Sequence, residues 1–548
     1  LKKSTWLKSI AIPAALSLAL MGCATEPDDE GGDAGGDTGD TDTEDTGDAD
    51  DDDEEAAGEE GGELTIGMIS DIVSLDPHGS NDVPSSNVQT NIYETLVTQT
   101  EDMEIEPLLA EDWEAVEPDV WEFTLRQDVT FHDGSELNAD VVVANFDRLL
   151  DPDIASPRAF LFEMVENVEA VDEYTVRFET EFPFAPLPAH LAHTGGSIIS
   201  GDAIEADYEA MEDGEEPGWY LNRNSAGTGF FELEERTSGD NTVLAKNENY
   251  WGEQAKVDRV TWRVIGDEGQ MINSVEAGEI DIAYPIRPTD INRVENSDAV
   301  NLYQQESLST AYIGFNNDKE PYDDPKVRQA LSMAINKEEI IEGVLQGEGN
   351  PAIGPINDQV FGFDDSVEEL PYDPERAQEL LAEAGYEDGF ETTIWTNDSA
   401  ERQDIAVIVQ DQLSQIGVDV EIEVVEWGAY LDDTAAGQHD MFILGWVTVT
   451  GDADYGMFPL FHSSQHGAAG NRTFTDSEEL DDILDQARRE TEEDAREELY
   501  SQALEILVDD APMLYLYHSI YSVGLGENVN GFWKHPNGLY QLQEVTVQ

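Results

Sequence analysis

Residues 26–63 decide how much of this chain can fold. The stretch is built almost only from Asp, Glu, Gly, Thr and Ala, with no aromatic residue and no positive charge. It cannot bury enough apolar surface to offset its ordering entropy, so the composition predicts a tether without fixed structure. About 37 residues of such coil reach roughly 35 Å, and further under self-repulsion. The tether separates a short leader from a long body, and only the body is expected to hold a core.

The leader opens with Lys2, Lys3 and Lys8 and continues as an apolar run over residues 9–21, too short to span a bilayer. It ends at Leu20-Met-Gly-Cys23, which holds the single cysteine of the 548 residues. This ending resembles the lipobox of bacterial lipoproteins, in which the cysteine is diacylated. The resemblance implies a signal peptide at 1–22 and a lipidated Cys23 heading the tether 23–63. The protein would then be exported and held at the outer face of the cell membrane, in the periplasm if the host is diderm.

Acidity extends into the body. The chain carries 122 acidic and 26 basic residues. Without the tether and the three N-terminal lysines, 102 acidic residues face 23 basic ones, a formal charge near −79. In dilute buffer such a body repels itself, whereas at molar salt the Debye length falls to about 3 Å. A halophilic host is the expectation. A body without a basic patch has no nucleic-acid partner.

Strand and helix patterns alternate through the body. Leu64–Ile69 reads as an extended segment, and Trp121–Arg126 shows the alternation of a half-buried strand. Val129–Gly134 reads as strand and turn, ending in Asp-Gly. Asn138 is placed to cap a helix. Pro325–Asn336 and Asp373–Ala384 open with Asp-Pro, a cap followed by a first-turn proline, and Gly385 follows the second. A helix over 402–416 and a strand over Val418–Val425 complete a mixed α/β reading. After the leader no apolar run reaches about 18 residues.

Several of these segments carry a resemblance. Leu108–Trp113, Phe123–Arg126, Val129–Gly134, Gly227–Phe231, Asn249–Gly252, Gly278–Ile282, Gly314–Asn316, Val327–Ile335, Glu426–Gly428 and His439–Phe442 follow one another in order. Together they resemble the extracellular solute-binding proteins of family 5, which include dipeptide, oligopeptide, glutathione and nickel receptors of ABC importers. The resemblance implies a periplasmic-binding-protein-like two-lobed clam-shell with mixed sheets flanked by helices and an extra N-terminal subdomain. Lobe I would comprise 64–99, 219–306 and 519–548, the extra subdomain 100–218, and lobe II 307–518. Chain crossings near Ser307–Ala311 and Tyr517–Tyr521 would form the hinge.

It also implies a ligand and a site. A peptide, glutathione included, would be captured between the lobes by a monomer and delivered to a permease and its ATPase. Backbone groups would pair the ligand as an added strand, with charged side chains reading its termini. In Gly445-Trp446-Val-Thr-Val-Thr-Gly-Asp-Ala-Asp454, the position where dipeptide receptors hold the ligand amino group corresponds to Val449. That side chain accepts no ion pair, so Asp452 and Asp454 are the substitutes; their other reading is that they cap the following helix or face solvent. This loop looks more like that of glutathione-type receptors. Arg402 corresponds to the carboxylate-binding arginine, or else pairs with Glu401 or Asp404 on its own helix. Arg472 is the second candidate. Ser80 and Asn81, in His78–Asp82, would line the cleft mouth, and Trp427, Trp446 and Tyr430 would be walls or core.

No G-x-S-x-G elbow, P-loop or H-E-x-x-H motif is present, and with Cys23 committed no thiol nucleophile remains. The expectation is a non-enzyme without cofactor. His462 and His466 have metal-like spacing but sit in a loop pattern. The alternative reading is a receptor of the same fold for a nickel chelate, haem or an opine.

Overall fold

The computed structural model describes residues 61–467 and 470–548. Cys23, the leader 1–22 and the tether up to residue 60 lie outside the described residues.

Two long antiparallel strands, Val300–Phe315 and Met513–Gly526, run through the middle of an 11-stranded mixed sheet. Val300–Glu306 pairs with Ile520–Gly526, and Thr310–Gly314 pairs with Met513–His518. Between these halves the register slips, from Glu306 to Thr310 and again from Ala311 to Tyr312. On one side the sheet continues through Ile282–Ala283 to Glu63–Met68, then Arg259–Val264, Asn241–Lys246 and Phe231–Thr237. On the other it passes through Met441–Val447 to Phe390–Thr396 and Val418–Val424. The result is a two-domain α/β fold whose domains share strands.

The apolar residues divide accordingly. Ile66, Trp262 and Val523 belong to one core, and Ile313, Leu380, Ile405 and Ile443 to another. A third core gathers Phe123, Phe146 and Phe178 beneath a separate four-stranded antiparallel sheet. Ile199, Ala203 and Ile204 pack into the first of these, although they precede residue 218 in the chain. Tyr455 comes from the far half of the sequence yet packs into the third.

Local chemistry explains the element ends. Asn138 accepts the Val141 N–H at the start of the helix Ala139–Leu149. Asp324 and Asp373 cap Pro325–Met333 and Pro374–Glu383, each supplying an acceptor worth about 1 kcal/mol. Gly385 follows the second helix at φ +94°, where a Cβ would be strained. The first helix stops short of Asn336, because that residue caps the next one, Lys337–Val344. Val129–Gly134 forms no strand beyond a single Thr130–Glu136 bridge. Asp133 folds the segment into a turn by accepting both the N–H and the hydroxyl of Ser135, at 2.9 and 2.6 Å.

Candidate functional site

A cavity of about 220 Å³ is assembled from stretches far apart in sequence. Asn81 and Asp82 come from the loop before the helix Val83–Gln89. Trp446, Val447 and Val449 come from the end of the strand Met441–Val447 and its turn, and Asn537 comes from near the C-terminus. His193 and Thr194 close one side. Tyr455 stands behind Trp446: the Trp446 indole N–H donates to the Tyr455 carbonyl at 2.9 Å, and the rings lie 5.2 Å apart. Burial pushes the Tyr455 hydroxyl pKa up to about 12, so it remains a neutral donor.

Gly445 also lines this cavity, and Arg402 lies next to it. A Cβ at position 445 would meet the Arg402 Nη2 at 4.0 Å. Arg402 follows Ser399, which caps the helix Ala400–Ser414. Its Nη1 donates to the Asn397 side chain at 3.1 Å, and the guanidinium sits 5.7 Å from the centre of the Trp427 ring. Among the described residues no carboxylate lies within 4.0 Å of it. Glu401 instead accepts the Tyr517 hydroxyl at 2.8 Å, so the local ion pair expected of a helix-start arginine is not made.

The other sequence candidates scatter. Asn81 and Trp446 line the cavity. Ser80 is buried behind it, accepting the Gln89 side-chain N–H at 3.1 Å, and its carbonyl is bonded by Arg158. His78 is buried against Arg148, whose guanidinium bridges Asp76 and Asp207 at 2.7 and 2.8 Å. Tyr430 is core, its hydroxyl donating to the Ile443 carbonyl at 2.6 Å. Trp427 stacks on it and stays 42% exposed. Arg472 is buried, donating to Thr434 at 3.2 Å, and is not part of the lining of this cavity.

Asp452 and Asp454 are engaged inside the protein. Asp452 caps the helix Ala453–Phe461 and receives both Nη groups of Arg496, at 2.6 and 2.7 Å. Asp454 lies 3.0 Å from Arg488 and 3.7 Å from His190. Burial would raise its pKa, but Arg488, His190 and Arg496 outweigh that and hold it below the usual carboxylate range. Of the alternative readings for this pair, capping holds for Asp452, and neither side chain faces solvent, because both are buried against arginines.

His193, Tyr455 and Asn537 are cavity residues that sequence reasoning missed. Only Asn537 carried a signal, since Asn537-Gly538 is a turn dipeptide, with Gly538 at φ +99°.

Residues 104–468 match the family described as bacterial extracellular solute-binding proteins, family 5 (middle region). The match spans well over half of the chain. The protein belongs to the family 5 solute-binding proteins. Such proteins are transport receptors and not enzymes. The glutathione-binding protein GsiB of Escherichia coli K12 is 30% identical over 495 residues, covering 89% of this chain and 94% of its own. The DppA periplasmic binding protein of Helicobacter pylori, solved with the peptide STSA, is 30% identical with a TM-score of 0.78, over 89% of this chain and 98% of that one. The oligopeptide-binding AppA of Bacillus subtilis, solved with a nonapeptide, is 26% identical with a TM-score of 0.75, over 90% and 100%.

Proposed function

We propose that this family 5 protein is the lipid-anchored receptor of an ABC importer, capturing peptides in the 220 Å³ cavity. Di- and oligopeptides and glutathione form the ligand class. In this reading residues 64–99, 219–306 and 519–548 make lobe I, 100–218 the extra subdomain and 307–518 lobe II. The cavity is the cleft between lobes, and the register slips at Glu306–Thr310 and Ala311–Tyr312 are the hinge. The closed form delivers its ligand to the permease and ATPase. The protein acts as a monomer, exported and held at the membrane through Cys23.

One observation carries the reading: Arg402, a cation with no carboxylate within 4.0 Å among the described residues, stands next to the side-chain-less Gly445 at the cavity wall. An anionic ligand end reaching past Gly445 would complete it. Asp452 and Asp454 are left out of the ligand set, because both are held by arginines of the protein itself. The kinship with GsiB, DppA and AppA supports a peptide over other solutes. A non-peptide ligand is favoured by one feature only, the apolar Val449 in the wall, which offers no counter-charge to an ammonium group.

Native mass spectrometry of the protein purified throughout in molar salt tests this. The expected result is an adduct of peptide or glutathione mass, displaced by added Met-Leu, glutathione or Ser-Thr-Ser-Ala. No binding of any of the three would reject the peptide reading.

A further inference from the structure

A turn near the C-terminus, residues 535–539, contributes Asn537 and Leu539 to the wall of the 220 Å³ cavity. It joins the strands of a small ribbon in which Trp533–Lys534 pairs with Tyr540–Gln541. The turn is braced from within. The Gly538 N–H donates to the His535 carbonyl and the His535 N–H to the Leu539 carbonyl, both at 2.8 Å. The Asn537 N–H donates to the His535 Nδ1 at 3.2 Å. The neutral His535 ring therefore carries its proton on Nε2, 2.9 Å from the Thr100 carbonyl.

It is also tied to the long strands. Leu308 lies within the register slip between Glu306 and Thr310. Its N–H donates to the Pro536 carbonyl at 3.0 Å, and its carbonyl accepts the Thr448 N–H at 3.0 Å, next to Val449. One residue at the slip thus bonds two of the turns that line the cavity. Lys534 holds the turn from the core side. It is fully buried, with Nζ 4.3–4.5 Å from the ring centres of Tyr284, Tyr521 and Tyr540, and it donates to the Gly538 carbonyl. No carboxylate offsets that burial, which holds its pKa well below the usual lysine range. Three ring faces leave the amine one direction, towards the turn.

On this braced turn one polar group is left open. Asn537 Oδ1 accepts the Leu539 N–H at 3.2 Å, so Nδ2 is the remaining side-chain atom. Nδ2 has no hydrogen-bond partner among the described residues, is not sealed from solvent, and belongs to a half-buried side chain of the cavity wall. Donors held in place and left free suit a peptide carbonyl.

We propose that Asn537 reads the ligand, its Nδ2 donating to a backbone carbonyl of the peptide, and that Lys534 positions it through the Gly538 carbonyl. The proposal rests on the peptide reading of the cavity.

Calorimetry with Met-Leu and Met-Leu amide in molar salt tests it, on the native protein, Asn537→Asp, Asn537→Ala, Lys534→Met and the double variant Lys534→Met/Asn537→Asp. Asn537→Asp keeps the acceptor that Leu539 uses and removes only the donor. It should weaken Met-Leu at least about tenfold, as Asn537→Ala should, and the loss should persist with the amide. A role confined to bracing the turn would leave Asn537→Asp at full affinity. Lys534→Met should weaken Met-Leu about three- to tenfold when Asn537 is present and no further in the Asp background, because it acts through that side chain. Full affinity in Asn537→Asp, or a loss confined to the acid and so due to charge repulsion, overturns the proposal. Additive losses in the double variant overturn the role of Lys534. If Lys534→Met does not fold, the two Asn537 variants still decide. A native protein that binds none of Met-Leu, glutathione and Ser-Thr-Ser-Ala removes the peptide reading and this proposal together, whereas native binding without loss in Asn537→Asp defeats this proposal alone.

Discussion

Two arginine-bearing corners in residues 307–518 are built in opposite ways. At one, Arg496 is buried with both Nη groups on Asp452, and its ring neighbours Phe361 and Tyr500 complete the shell. At the other, Arg402 is half-buried beside a cavity, holds one neutral amide oxygen and has no carboxylate within 4.0 Å among the described residues. Arg126, Arg158 and Arg223 also bond carbonyl or hydroxyl oxygens and no carboxylate among the described residues, so what marks Arg402 is its place beside the cavity. The first corner is closed by the chain's own groups, and the second is complementary to an anion from outside.

The largest effect should come from breaking the closed corner. Arg496→Ala leaves Asp452 buried and unpaired, and it should cost about 3–5 kcal/mol in urea unfolding. A loss under about 1 kcal/mol would mean that the pair is solvated and the corners are alike. Salt sharpens the contrast. Raising NaCl from 0.1 to 2 M should raise the Tm of the native protein, because screening relieves a body charge near −79. The deficit of Arg496→Ala should persist at 2 M, since a buried pair is barely screened. A Tm independent of NaCl would remove the self-repulsion argument.

Local structure at the two corners was unequally readable from the sequence. The helix start that carries Arg402 was legible because it is local, with Ser399 capping three residues upstream. The fate of Asp452 was not, because its partner lies 44 residues away on the helix Glu493–Asp510. Loops with charged residues look alike until such a partner is placed. The same division runs through the fold. Capped helices such as Pro325–Met333 and Pro374–Glu383 were readable from Asp-Pro, which acts within one turn. The Asp133 turn defeated a strand pattern by side-chain bonds that periodicity does not register. Tyr430 read as wall or, more often for a buried aromatic, core, and its burial and its bond to the Ile443 carbonyl assign it to the core.

A smaller change should convert part of the open corner. Val449→Asp puts a carboxylate into the cavity wall, and it should strengthen binding of a free-amino peptide about tenfold over its N-acetyl form, about 1.4 kcal/mol. Equal gains for both forms, or none, would place the ligand ammonium elsewhere.

The smallest effect concerns protons. Burial pushes the pKa of His439 down to about 3 and those of His518 and His535 down to about 4, so all three are neutral when folded. On unfolding each returns to its ordinary value near 6.5 and takes up a proton below it. Their contribution is therefore fully present above pH 6.5 and lost as pH falls from about 6.5 towards 4. His518, bonded to Thr310 at the register slip, is the most telling. His518→Gln should flatten the stability–pH slope in that window, and an unchanged slope would show that His518 is protonated in the fold.

Calorimetry with a peptide and its C-terminal amide, on the native protein and Arg402→Ala, tests the account most directly. The native protein should prefer the acid. Arg402→Ala should lose roughly 2–5 kcal/mol for the acid and much less for the amide, with folding stability changed by about 1 kcal/mol or less. Equal binding of acid and amide by the native protein, or full affinity in Arg402→Ala, would contradict it and make Arg402 a structural residue.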